Sequence, residues 1–437
     1  MDVGEKRANS GDGDVLDRIS VLPVHLRESV LECMPIKDAM RTSVLARNWR
    51  YCWTGMRKLS FNNMERESIE VFCRTVDRML LLHSGPIHKF YIVIPEGGNN
   101  GHGNSNLSDW FHVLSKNGIH DILFDAFYTR NPDFPLPSSL FQCRDLKKLV
   151  LDSCKFSPPP NFMGFYNLID LEINYCKVPS HILGSLISQC PLLEKLSMRD
   201  TCTEYREHPL VINALNLKTV SYEDYSWGTI ILHNVPRLAY VSLLVGDVFV
   251  IDEMNRPCSS WSFMSSLSLI KDFEFDITLL GPIMEKCPRC LPTVFENLKT
   301  LTLQSFDPHV EDDIRFVLCL IRSSPGLQDL TISEQGIKSS YLPEREKSRE
   351  AAQKLLETEA KEQCKLSNLI TVVLDNFDEF SHDIMLAKIL LSRCPNLILL
   401  KFALHEELIT EDVRMQKLLR EFEKSPYKDK VIYCERP

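Results

Sequence analysis

One spacing recurs along this 437-residue chain: an apolar residue, two of any kind, an apolar residue, one of any kind, an apolar residue. It appears as Leu146/Leu149/Leu151, Leu168/Leu171/Ile173, Leu193/Leu196/Met198, Leu217/Val220/Tyr222 and Leu238/Val241/Leu243. It returns at Leu298/Leu301/Leu303, Leu327/Leu330/Ile332, Leu369/Val372/Leu374 and Leu397/Leu400/Phe402. Weaker copies stand at Met56/Leu59/Phe61, Ile87/Phe90/Ile92, Ile119/Ile122/Phe124 and Ile270/Phe273/Phe275, which makes thirteen. The last two apolar positions alternate with polar ones, predicting a short strand with one buried face. The first turns the chain inward just before that strand. A single copy carries no weight, since leucine is common; thirteen are a repeat.

The strong copies start 22, 25, 24 and 21 residues apart, within the about 20–29 residues of leucine-rich repeats. Stacking them predicts an α/β solenoid with a curved parallel sheet on one side and helices or turns returning on the other. Cys154 and Cys176 each stand three residues past the last strand position, where such repeats carry an inward Asn or Cys. The phrases Ser188-Gln-Cys-Pro-Leu-Leu193, Ser323-Ser-Pro-Gly-Leu327 and Ser392-Arg-Cys-Pro-Asn-Leu397 follow apolar helical stretches. In each, proline stops a helix and leucine opens the next strand. Steps of 32 residues after Ile87 and Leu238, and of 42 after Leu327, imply insertions. The last contains Glu344–Lys365, dense in charge, which reads as an exposed amphipathic helix or mobile loop with a solvated face.

Residues 15–61 follow another rule. Pro23 suits the first position of a helix that Pro35 ends, with Leu26, Val30 and Leu31 as its apolar face. A second helix is predicted over Ile36 to Val44. A third covers about Ala46 to Thr54, with Trp49 and Trp53 one turn apart. Three short helices in about 40 residues bury little by themselves. The apolar residues Ile19, Leu22, Pro23, Leu26 and Val30 therefore need a partner or the neighbouring repeats.

Here the sequence resembles the plant F-box, through Asp17-Arg-Ile-Ser20, Leu22-Pro23, Met34-Pro35, Lys37-Asp38-Ala39, Arg41-Thr-Ser-Val-Leu45 and Trp49-Arg-Tyr-Cys-Trp53. It departs mildly from the usual pattern at Val24-His25, Arg27, Ala46 and Asn48. With the repeats behind it and a C-terminal stretch of Leu366–Leu374, Ile384–Leu391 and Cys394–Phe402, the chain resembles the plant F-box/FBD/leucine-rich-repeat family. The expected organisation is a disordered tail over 1–14, an F-box over 15–61, repeats with insertions over 62–365, and FBD-like repeats and a cap over 366–437. A final helix, Thr410 to Lys424, would close the stack. The resemblance implies a substrate-recognition subunit of a Skp-cullin-F-box ubiquitin ligase. A Skp-family adaptor would meet Ile19, Leu22, Pro23, Leu26, Val30, Leu31, Pro35, Ala39 and Val44, some of which must instead hold the helices together. The cullin-RING scaffold would be reached only through that adaptor, and the repeats would hold a target protein. Trp49 and Trp53 read as module core or as the weld to the first repeat.

Composition narrows the classes. The net charge of −9, with no basic run, argues against nucleic acid, whose phosphates are met by clustered Lys and Arg. No apolar core marks the first residues as a signal peptide, and no stretch approaches the about 18–20 apolar residues of a membrane helix. The expectation is nuclear or cytoplasmic, with no membrane contact and with the fifteen cysteines reduced. No catalytic residues, cofactor or metal ligands are expected: Cys287-Pro-Arg-Cys290 lacks a second pair, and Gly97-Gly98 and Gly101-His-Gly103 lack a phosphate loop's ending. The alternatives are a small-molecule receptor of the hormone type, and a repeat scaffold acting outside any ligase.

Overall fold

The computed structural model describes residues 19, 21–62, 64, 66–97, 102–131, 133–201, 209–224, 230–245, 264, 267–279, 287–291, 293–334, 344–361, 366–375, 381–403 and 430–434. The expected tail over 1–14 and the closing helix Thr410 to Lys424 lie outside these residues. The chain divides into two compact units: residues 1–131 with 137–146, and residues 132–136 with 147–437.

The first unit opens with helices α1 (Val24–Leu31) and α2 (Ile36–Arg41). The predicted third helix is instead a set of tight 3-10 turns, Arg47–Trp49 and Cys52–Gly55, following another at Thr42–Val44. Extended backbone at Ala46 breaks the run, and Trp49, Cys52, Trp53 and Thr54 are buried from turns rather than from a helix face. Strands β1 (Lys58–Phe61), β2 (Lys89–Val93) and β3 (Asp121–Asp125) then alternate with helices α3 (Ile69–Leu82) and α4 (His102–Lys116). The strands pair in parallel, with Leu59, Phe90 and Ile122 in one row and Phe61, Ile92 and Phe124 in another. Ser68 caps α3 by accepting the Val71 N–H, and the helix buries Phe72, Val76, Met79 and Leu80. A chain of rings fills the space between helices and strands: Phe61 on Phe90 at 5.7 Å, Phe90 on Phe111 at 6.1 Å, Phe111 on Phe124 at 6.2 Å.

The second unit extends the same rule. Its strands are β4 (Lys148–Asp152), β5 (Asp170–Asn174), β6 (Lys195–Arg199), β7 (Leu210–Asn213), β8 (Thr219–Asp224), β9 (Ile230–His233) and β10 (Tyr240–Val245). They continue as β11 (Asp272–Asp276), β12 (Thr300–Phe306), β13 (Asp329–Glu334), β14 (Thr371–Asp375), β15 (Leu399–Ala403) and β16 (Val431–Cys434). All but β7 and β9 pair in chain order as a parallel sheet. The register is constant: Leu149, Leu171, Leu196, Val220, Val241, Phe273, Leu301, Leu330, Val372 and Leu400 form one buried row. All thirteen predicted copies are strands. From β5 to β15, β7 and β9 excepted, the strands start by the same device, one carbonyl accepting two successive N–H groups of the next step. Glu194 O takes Lys218 and Thr219 at 2.8 and 3.1 Å, and Lys271 O takes Lys299 and Thr300 at 2.7 and 3.1 Å.

Past the strand ends, Ser153, Tyr175 and Asp200 adopt positive φ and turn the next side chain inward. Cys154 and Cys176 are buried with their sulfurs 3.4 Å apart, and Thr201 Oγ1 donates to Ile173 O at 2.8 Å. The returning elements are helices α5 (Ser180–Ser188), α6 (Glu311–Arg322), α7 (Glu344–Ala360) and α8 (Ser381–Arg393). Two returns are strands instead: β7 and β9 form a small parallel sheet of their own. Gly184 lets α5 lie on it, since a Cβ there would meet Val211 O at 2.9 Å. The charged insertion corrects an expectation. Helix α7 is seated, not solvated: Ala352, Leu356 and Glu359 are buried at i, i+4 and i+7, and Glu359 pairs with Arg322 and Arg393.

A candidate docking face on the N-terminal helical module

The apolar residues of the module divide by exposure. Leu31 and Ala39 are fully buried, whereas Ile19 (60%), Leu26 (43%), Val30 (44%) and Val44 (86%) remain open. Pro23 and Pro35 are exposed and Leu22 is half-buried. Of the nine residues expected to meet an adaptor, Leu31 and Ala39 thus form the interior, and the other seven are at the surface. Helix geometry places Pro23, Leu26 and Val30 on one stripe, at i, i+3 and i+7. Leu31 does not share the face of Leu26 and Val30, as the sequence had it. It points inward beside Arg27, four residues earlier.

Arg27 is what the pattern of apolar residues hides. Its side chain is buried and ties both ends of the module together: Nε donates to Leu22 O at 3.0 Å, and Nη1 donates to Asn48 O. A long cation with an apolar stem fills the core position while its head satisfies two carbonyls. The turn on that face of α1 is thereby fixed, with Leu26 and Val30 outward. Burial pushes the neighbouring Cys52 thiol up, with Arg27 opposing. Further apolar side chains stay open on the module, among them Val21, Val24, Leu45 and Tyr51. None was singled out from spacing, because nothing in a spacing tells an outward position from an inward one in so short a helix.

The module is held to the first repeat by polar bonds. The Glu32 carboxylate accepts the N–H groups of Arg57 and Lys58 at 2.7 and 3.2 Å, at the start of β1. Lys37 pairs with Glu67. His83 Nε2 meets Met56 O at 2.7 Å, and the hydroxyls of Thr54 and Ser84 lie 3.1 Å apart. Trp49 and Trp53 are buried, as core residues rather than exposed anchors. Position and rigidity therefore come from the repeat side, while the α1 stripe is left open.

Comparison with known proteins agrees with both halves of this description. The F-box domain model matches residues 19–61. A second model, for the leucine-rich repeats of FBD-associated F-box protein At5g56370, matches residues 107–332. The chain is 31% identical over 356 residues to F-box/FBD/LRR-repeat protein At1g13570 of Arabidopsis thaliana, covering 76% of this chain and 79% of the relative. It is 26% identical over 332 residues to FBD-associated F-box protein At5g56370 of the same plant, covering 73% and 75%. An F-box at the start, a parallel sheet built from leucine-rich repeats behind it, and relatives matched over most of their length lead to one assignment: the chain belongs to the plant F-box/FBD/LRR-repeat family.

Proposed function

We propose that this chain is the substrate-recognition subunit of a Skp-cullin-F-box ubiquitin ligase. In this reading the α1 stripe docks a Skp-family adaptor, the adaptor connects to a cullin-RING scaffold, and the sheet face of the repeats holds a target protein. The carrying observation is the outward stripe of Pro23, Leu26 and Val30, left exposed by a module whose core is otherwise closed. A fully buried aliphatic side chain contributes about 1.5–3 kcal/mol relative to an exposed one, so a few such anchors can dominate an interface. The chain supplies proximity between target and transferred ubiquitin and no bond-making step of its own. The assembly would work in the nucleus or cytoplasm.

The test is co-purification of a plant Skp-type adaptor with the full chain and with the double variant Leu26→Asp, Val30→Asp. Both positions are exposed, so the fold should persist and the melting transition should stay within about 2 °C, as surface substitutions change stability little. Adaptor binding should fall at least about 100-fold, the scale of losing two buried anchors. Undiminished adaptor capture by the double variant would refute the docking face.

A further inference from the structure

The outer face of the repeat sheet changes character along its length. On β4 to β6 charges neutralise one another: Lys148 pairs with Asp170 at 3.0 Å, and Arg199 reaches Glu223 of β8 at 2.8 Å. Beyond that point the pairing stops. The strands β8 and β10 to β14 contain no lysine or arginine, while Asp272, Glu274, Asp329 and Asp375 alternate with the buried row and so belong to the outer face, with Asp276 buried at the end of β11.

Two of these carboxylates, Glu274 and Asp276, are held by neutral donors. Glu274 accepts from Tyr240 at 3.0 Å, from Ser242 at 2.9 Å and from Gln304 at 3.3 Å. Asp276 accepts from Ser305 Oγ at 2.8 Å and from the Thr278 N–H at 2.9 Å. Among the described residues, Asp272, Glu274, Asp276 and Asp329 meet no basic side chain. The nearest bases in sequence, Lys271 and Lys299, precede β11 and β12 by one residue, so positive charge is confined to the rim where the strands start. Neutral donors orient the Glu274 carboxylate without cancelling its charge, and with the accessible Asp272 and Asp329 it leaves the face negative and open to a cation.

We infer that this six-strand face takes an extended protein segment bearing lysine or arginine. The inference rests on the reading that the repeat sheet holds the target, and adds the chemistry of that target. Strands lie about 4.8 Å apart, so five spacings cover about 24 Å, the reach of about seven extended residues. A segment laid across the strands presents alternate side chains to the sheet, so two or three basic residues at alternate positions would face Asp272, Glu274 and Asp329. A nucleic acid would meet the same sign of charge and be repelled.

A random dodecapeptide display library selected on the full chain tests this. Selected peptides should be enriched in Lys and Arg severalfold over the input. The variant Asp272→Asn, Glu274→Gln, Asp329→Asn, in which the amide at position 274 can still accept from Tyr240 and Ser242, should bind them at least tenfold more weakly. Glu172→Gln, on the self-neutralised part of the sheet, should bind them unchanged. Uncharged selected peptides that still lose binding in the triple variant would overturn the charge preference and leave the repeat sheet as the target site. Basic peptides bound equally by both proteins, or no peptide selected at all, would overturn the inference together with this face as a binding site. An unchanged melting transition of the triple variant shows that lost binding is not lost fold.

Discussion

Two ionisable side chains, the buried Arg27 and the half-buried Asp313, decide much at the scale of the residue. Arg27 occupies a core position of α1 and bonds to Leu22 O and Asn48 O. Hydrogen bonds from a charged donor contribute about 1.5–3 kcal/mol each, and their loss leaves buried carbonyls unmet. Arg27→Ala is therefore expected to lower the unfolding free energy of the first unit by about 2–4 kcal/mol, read by denaturant titration of Trp49 and Trp53 fluorescence, whereas exposed Arg47→Ala should change it by less than about 0.5 kcal/mol. Asp313 acts through pH. Burial pushes its carboxyl up to about 7; the Asp307 N–H opposes this, and the charges of Asp307, Asp312 and Asp276 reinforce it. A carboxyl with a folded pKa above its unfolded value stabilises the fold below the unfolded pKa, near about 4, and loses that contribution as pH rises through the folded one. Asp313→Asn, which can still accept from Asp307, should then be more stable than the parent at pH 8 by on the order of 1–3 kcal/mol, with the difference about half as large at pH 5.5 and gone below about pH 4. Melting curves at the two pH values check it; a difference that grows as pH falls would contradict the sign.

Elements were legible from sequence where their signal was periodic, and hidden where it was not. The spacing of the thirteen copies located thirteen strands because both strand positions and the inward turn are apolar in each. β16 escaped because its strand positions Val431 and Tyr433, paired with Leu400 and Phe402, are preceded in sequence by Lys428 where the pattern asks for an apolar residue. β7 and β9 escaped because a four-residue alternation such as Leu210–Asn213 is too short to stand out between two longer patterns. Helix α7 misled for an electrostatic reason. Its seam runs Ala352, Leu356, Glu359, and a glutamate on the seam reads as solvent until the two arginines that receive it are known. Those come from the last turns of α6 and α8, 37 and 34 residues away, a distance no local pattern spans. Burial pushes the Glu359 carboxyl up, but Arg322 and Arg393 outweigh it and hold the group below the usual range. Removing one partner of a buried ion pair costs about 3–5 kcal/mol, since the other charges stay buried. Glu359→Ala should release α7, with amide exchange over 344–360 rising at least about 100-fold, while exposed Glu357→Ala leaves it protected. Because the folded pKa is depressed, the stability it contributes is present above the unfolded value near about 4.3 and is lost as pH falls through the folded one.

At the scale of the whole molecule, the constant register has an energetic consequence. Each strand of the second unit hydrogen-bonds only to its two neighbours, and each starting carbonyl serves only the following step. Stability is then a sum of step and nearest-neighbour contributions rather than the property of one core. This same locality let the repeats be read from sequence copy by copy, whereas the outward choice of Leu26 and Val30 depended on Arg27 reaching Asn48, 21 residues on. A cavity in one step should therefore loosen that step and its neighbours and fade with distance. Leu301 is fully buried in β12, between Phe273 and Leu330 in the common row, and Leu301→Ala should cost about 2–5 kcal/mol locally. In native-state hydrogen exchange, amides of β11 to β13 should lose the most protection, β10 and β14 less, and β4 and β5 in the same unit almost none. The amides of α1 and α2, which belong to the other compact unit, should be unaffected. Uniform loss of protection across β4 to β15 would mean that the second unit unfolds as one cooperative body, and the nearest-neighbour account of its stability would have to be given up.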